Sequence, residues 1–159
     1  MNFYQLINQR QSVRKYSSEA VEPEKLQQCL EAARLAPSAS NTQPWHFIAI
    51  TSEPLRTQVA EATFSQAIRF NKFALQAPVI MVIVLEQPRV LNRIAMLLKK
   101  KEWKLIDVGI AAEHFCLQAA ELGLGTCMLG WFDEKKIRQL LIINKTRSIA
   151  LCLTLGYPE

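Results

Sequence analysis

The sequence has few of the residues on which common enzyme chemistries depend. Only two histidines occur, His46 and His114. Neither has a second ligand at metal spacing, so a zinc or iron site is not expected. The four cysteines, Cys29, Cys116, Cys127 and Cys152, form no CxxC pair. They read as small buried hydrophobes in a reduced, cytosolic protein. No GxSxG elbow supports a Ser-His-Asp triad, and there is no Gly-Lys-Ser phosphate loop. Gly123-Leu124-Gly125 fails as a dinucleotide fingerprint: position 128 is Met, and the pair follows a helix instead of a strand. A helix stop and a strand start explain both glycines. The N-terminus MNFYQLINQR lacks the charged start and apolar run of a signal peptide. The longest purely apolar run, 78–85, is far too short to span a bilayer. A cytoplasmic protein with no membrane association is expected.

What is present points to one compact domain. The 159 residues suffice for a proper core, and with half of them apolar and 21% charged, long disorder is not expected. Neither a repeat nor a linker interrupts 1–159, which reads as a single domain. The net charge of +5 is spread out, with Lys99-Lys100-Lys101 the only tight run. Such a surface suits an anionic ligand, a phosphate or a nucleotide. No recognisable nucleic-acid module accompanies it, so nucleic acid is not an expected partner.

Periodicity predicts a short helix over 2–9 and an extended segment over 12–16. Pro23 opens a helix in which Leu26, Leu30, Ala33 and Ala36 keep helical spacing, and Pro37 ends it. A strand follows at 46–51, and Pro54 opens a helix to about Glu61. Residues 62–77 are partly helical, and 88–101 carry no clear pattern. The run 79–85, VIMVIVL, predicts a strand buried on both faces. Residues 102–122 form the longest helix, apolar nearly all round, which belongs in the core or at a subunit interface. Gly123 stops it. A strand at 125–130, a helix at 133–142 and a strand at 148–155 complete an α+β chain, with helices around a central mixed or antiparallel sheet.

Two segments carry candidate chemistry. Arg10, Ser12 and Arg14 alternate along an extended stretch, which puts three polar side chains on one face. Two guanidinium groups and a hydroxyl suit a phosphate and a polyol chain, although an ordinary charged strand edge has the same pattern. Pro37-Ser38-Ala39-Ser40-Asn41 is a loop of small residues that lets backbone N–H groups approach a planar ligand; Asn41 and Gln43 can donate to and accept from a ring edge. A plain helix-to-strand connection would also use such residues. Glu113 and Glu121 lie eight apart on one helix, too far for a proton-sharing carboxylate pair. His114 reads as a core residue.

Together these segments resemble the nitroreductase family of flavin-dependent oxidoreductases. The resemblance rests on RQSVRKY at 10–16, ARLAPSASNTQPWHF at 33–47, WKLIDVGIAAEHFCLQAAELGLGT at 103–126 with Asp107 opening the core helix, and GWFDEKKIRQLL at 130–141, followed by LGYP at 155–158. It spans nearly the whole chain in order. It implies a nitroreductase-like fold and an intertwined homodimer with FMN at the interface. Arg10, Gln11, Ser12 and Arg14 would hold the phosphate, ribityl chain and pyrimidine side of the flavin. Pro37, Ser38, Ala39 and Asn41 would approach that flavin from the partner subunit. Met128, Leu129 and Gly130 would line the ring, with a backbone N–H near the hydride-carrying nitrogen, and Asn71 would join them. The family draws a basic phosphate contact from beyond its LGYP strand; here Arg14, Lys72 or another base would substitute, or FMN would bind more weakly. The implied activity is hydride transfer from NADH or NADPH, through flavin, to a nitroaromatic, quinone or similar acceptor by ping-pong turnover. A non-enzymatic protein that stores or senses FMN is the alternative. The flavin carries the chemistry, so no protein acid or base is assigned.

Overall fold

The computed structural model describes residues 1–67, 69–86 and 103–159. The patternless stretch at 88–101 and the lysine run within it lie outside the described residues. Four strands form one sheet, β1 (Trp45–Ile50), β2 (Val79–Leu85), β3 (Gly125–Leu129) and β4 (Ile149–Gly156), in the order β1-β2-β4-β3. All three pairings are antiparallel. Among the described residues the four strands thus make an antiparallel sheet, the second of the two expected arrangements.

The unbroken apolar run of β2 is explained by cover on both sides of this sheet. Val79, Met81 and Ile83 point to one face, where they meet Cys29 and Ala33 of α2 (Pro23–Arg34) and Val108, Ala112, Phe115, Cys116 and Ala119 of α4 (Trp103–Glu121). Ile80, Val82 and Val84 point to the other face. There they meet Val59 and Ala60 of α3 (Leu55–Glu61), Ala74 of a short 3-10 turn at Lys72–Gln76, and Ile137 of α5 (Glu134–Leu140). The period-2 geometry of a strand divides one apolar sequence between two cores. Small residues on the facing sides of α2 and α4 let these helices pack closely. The four cysteines are buried and free.

Helix ends follow their capping residues. In α1 (Phe3–Gln9), the Asn2 side chain accepts from the Gln5 N–H at 2.9 Å, and the Gln5 side chain accepts from the Asn2 N–H at 3.0 Å. This reciprocal box satisfies two N-terminal donors of a very short helix. Helix α2 begins at Pro23 as expected, but its last helical residue is Arg34, three before Pro37. At the end of α4, Gly123 takes φ +77°. The Leu124 N–H reaches the Ala119 carbonyl at 2.8 Å, and the Gly123 N–H reaches Ala120 at 3.1 Å. That is the left-handed closure for which glycine is suited.

Two expectations need adjustment. Helix α4 buries one side, including Ala111, Ala112, Phe115 and Ala119, whereas Trp103, Leu105 and Ile106 near its start are exposed. His114 is only half-buried, because it points away from the buried side. Helix α1 buries no residue, and Phe3, Tyr4 and Ile7 are exposed on it.

Helix α5 stops before Ile142, which has φ +55° and is 91% exposed. A β-branched side chain in the left-handed region costs about 1–2 kcal/mol. At that exposure it recovers little from packing. Ile142→Gly is therefore expected to stabilise the protein by about 1 kcal/mol and to raise Tm by about 2–4 °C in a thermal melt. A lower Tm would contradict this account of the turn.

Candidate functional site

The extended segment after α1 is laid against the edge of β3. Ser12 forms a parallel bridge with Thr126, and the Val13 N–H donates to the Thr126 carbonyl at 2.9 Å. The approach is close: a Cβ at Gly125 would lie 2.5 Å from a Val13 methyl carbon. Only glycine fits there, so Gly125 does more than start a strand. Tyr16 anchors the far end of the segment. Its hydroxyl donates to the Val13 carbonyl at 2.8 Å and shares a 2.7 Å hydrogen bond with the buried Thr154 hydroxyl of β4. Burial pushes the Tyr16 phenol well above its usual range, so it remains a neutral donor.

This docking brings most of the first expected cluster together. Gln11, Ser12 and Arg14 are exposed along the segment, beside β3. The Arg14 Nη1 donates to the Ser12 carbonyl at 3.3 Å. Met128, on the same strand, exposes its side chain, and Gly130 just beyond has open space where a Cβ would stand. Leu129 differs: it is 2% exposed and packs in the core, so only its backbone is available to a ligand. Arg10 is half-buried and paired with Glu113 of α4, Nε to Oε1 at 3.1 Å. Beside it a cavity of about 160 Å³ opens between Gln9, Gln11, Val13, Gly123 and Thr126.

Asn71 enters from the opposite face of the sheet's end. It is 5% exposed, and its Nδ2 donates to the carbonyls of Thr63 and Trp131, both at 3.1 Å. Its amide donors thus hold the chain that leaves β3. They bring the backbone near Phe70 against that near Trp131, and both aromatic rings are exposed.

The small-residue loop is built differently and attached elsewhere. Residues Ala39–Asn41 make a 3-10 turn in which Ser40 and Asn41 have φ of 53° and 52°, and Gln43 follows at 45°. Three non-glycine residues in the left-handed region mark stored strain, a common property of ligand-binding loops. Two contacts hold it. The Gln43 N–H donates to the Ser38 hydroxyl at 3.0 Å, and the Ala39 N–H donates to both carboxylate oxygens of Asp107 at 3.2 Å. Pro37, Ala39 and Asn41 are exposed, and Ser38 is half-buried.

Asp107 and Glu113 therefore hold the two candidate clusters from one helix. Six residues apart, they are separated by roughly 9 Å along the axis and about 120° around it. The loop and the extended segment accordingly leave α4 on different sides. Asp107 had a readable signal, a lone acid between Ile106 and Val108 in an otherwise apolar stretch. The partner of Glu113 had none, since Arg10 lies 103 positions away in sequence.

No cysteine is available as a nucleophile. Burial pushes the thiols of Cys29 and Cys152 up to about 12 and that of Cys116 up to about 11. Cys127, on β3, is raised by burial against opposing effects of Arg14 and a hydrogen bond with Ser12. Among the described residues no cluster of three metal-ligating side chains occurs, and no helix is long and apolar enough to cross a membrane.

The profile described as "Nitroreductase family" matches residues 7–157. An oxygen-insensitive NADPH nitroreductase of Helicobacter acinonychis is 29% identical over 185 residues, covering 96% of this chain and 85% of that protein. The crystal structure of a nitroreductase family protein from Clostridium novyi superposes with a TM-score of 0.86 at 32% identity, covering 100% of this chain and 86% of that one. An FMN-dependent nitroreductase of Clostridium difficile superposes with a TM-score of 0.81 at 28% identity, covering 99% and 88%. The chain belongs to the nitroreductase family, a family of oxidoreductase enzymes.

Proposed function

We propose that this protein is an FMN-dependent oxidoreductase that takes hydride from NADH or NADPH and delivers it to a nitroaromatic, quinone or similar acceptor in ping-pong fashion. The observation that carries this reading is the pairing of the 10–14 segment with β3 through Ser12 and Thr126. It sets exposed guanidinium and hydroxyl groups beside an exposed Met128 and an open Gly130. A flavin mononucleotide needs that combination: a cation for its phosphate, polar groups for its ribityl chain, an apolar shelf and backbone donors for its ring. Bound FMN would supply the hydride chemistry.

The chain's own residues bind and orient. Arg14, exposed and bonded only locally in its own segment, is suited to the phosphate or the pyrimidine side. Ser12 and Gln11 are suited to the ribityl hydroxyls. The backbone from Met128 to Gly130 would offer an N–H to the ring, with Asn71 fixing the chain beyond it. Donors and cations placed in advance favour the anionic reduced form of a flavin. Four free, buried thiols suit a reducing cytoplasm.

The same reading requires a homodimer. The loop at 38–41 and the segment at 10–14 leave α4 in different directions, so one flavin would draw on the segment of one protomer and the loop of its partner. The bare apolar side of α1 and the exposed start of α4 support this, since a seven-residue helix with Phe3, Tyr4 and Ile7 in water has little to hold it.

Three measurements test the proposal. FMN-loaded protein titrated anaerobically with NADH and then NADPH should bleach stoichiometrically and recover its colour on adding a nitroaromatic or quinone. A flavin that stays oxidised would favour storage or sensing, and a protein that binds no flavin would overturn the proposal. Arg14→Ala is expected to weaken FMN binding about tenfold, the loss of one charge-assisted contact; unchanged affinity would remove Arg14 from the site. The double variant Phe3→Glu/Ile7→Glu should shift the protein to monomer in light scattering and lose FMN with it. A monomer that retains full FMN occupancy would contradict the shared site.

A further inference from the structure

Arg10 is fastened from two sides. Its own N–H donates to the Leu6 carbonyl at 2.9 Å, closing α1, and the preceding Gln9 side chain donates to the Ala120 carbonyl at 3.5 Å, near the end of α4. The guanidinium is then met by Glu113 through its Nε at 3.1 Å. An arginine carries five N–H donors in a rigid plane, so closest contact at Nε leaves the outer Nη edge for another acceptor. The backbone of Glu113 is fixed, because its neighbours Ala112, Phe115 and Cys116 are fully buried in the core. The cavity of about 160 Å³ lined by Gln9, Arg10, Gln11 and Thr126 has room for a phosphate-sized group beside the guanidinium.

We propose that Glu113 is a positioning residue for the phosphate end of the flavin site: it acts through Arg10, fixing the guanidinium so that its outer edge is presented to a phosphate oxygen. This rests on the FMN reading above. Glu113 touches neither ring nor acceptor, and its effect is specific to a phosphorylated flavin. An unheld arginine would spend side-chain entropy on each binding event, whereas a held one has already lost it.

The test compares FMN with riboflavin, which lacks only the phosphate, by fluorescence quenching on apo-protein. Glu113→Ala leaves a helix-favouring residue at a half-exposed position, so the fold is expected to persist in a thermal melt. Its FMN Kd should rise about tenfold while its riboflavin Kd stays within about twofold of wild type. Glu113→Gln, which keeps an oxygen acceptor for the arginine, should recover most of the FMN affinity. Glu113→Ala with unchanged or tighter FMN binding, or with equal weakening of both flavins, would overturn the assignment. Wild-type protein that binds FMN no better than riboflavin would overturn the role of Glu113 and leave the flavin site standing. Wild-type protein that binds neither flavin would overturn both.

Discussion

The burial of α4 between the sheet and α2 is the constraint on which the rest of this structure depends. Phe115 stacks on Phe47 of β1, with ring centroids 6.0 Å apart and planes at 18°. Ala112, Cys116 and Ala119 fill the space against β2, β4 and α2. A helix held this way cannot rotate or slide without opening voids in a close-packed interior. Asp107 and Glu113 on it are therefore at fixed points. Asp107 takes the N–H that begins the 39–41 turn, and Glu113 takes the guanidinium of Arg10. Both candidate binding segments are irregular chain, and both inherit their position from the most regular element in the protein.

The second determinant is the edge of β3. Strand β4 pairs with one side of it, and the 12–13 segment covers part of the other. That cover protects an exposed strand edge, and it also carries three polar side chains to the end of the strand. The contact is set by Gly125, where any larger residue would collide with Val13. Tyr16 and Thr154 complete the attachment with a buried hydrogen bond. A pair of hydroxyls in the core thus controls groups several residues away that face solvent.

The division of labour suits cofactor chemistry. The cysteines are buried thiols with raised pKa values. What the protein offers is positioned donors, cations and an apolar shelf. Phe3, Tyr4 and Ile7 on α1 and Leu105 and Ile106 on α4 are exposed, and the two candidate segments leave α4 in different directions. In the proposed homodimer a second copy would cover that surface and bring its loop to the segment of the first.

Much of the fold was legible from local pattern. The β2 run announced a strand covered on both faces, and Pro23 and Gly123 marked helix ends correctly, because proline and glycine act through their own backbone geometry. The cluster of small residues after α2 was legible as a loop, and RQSVR as a polar extended segment. Sequence by itself thus determined the class of fold, the family and the candidate residues. Tertiary structure alone decided which of those side chains are exposed and which are buried or already paired. Leu129 turns inward, Asn71 spends its donors on the backbone, and Arg10 is held at its Nε by Glu113. Those outcomes depend on contacts between residues far apart in the chain, which leave no periodicity behind. The antiparallel order β1-β2-β4-β3 was settled there too, because strand pairing is chosen by how helices cover the two faces and not by any one strand's composition.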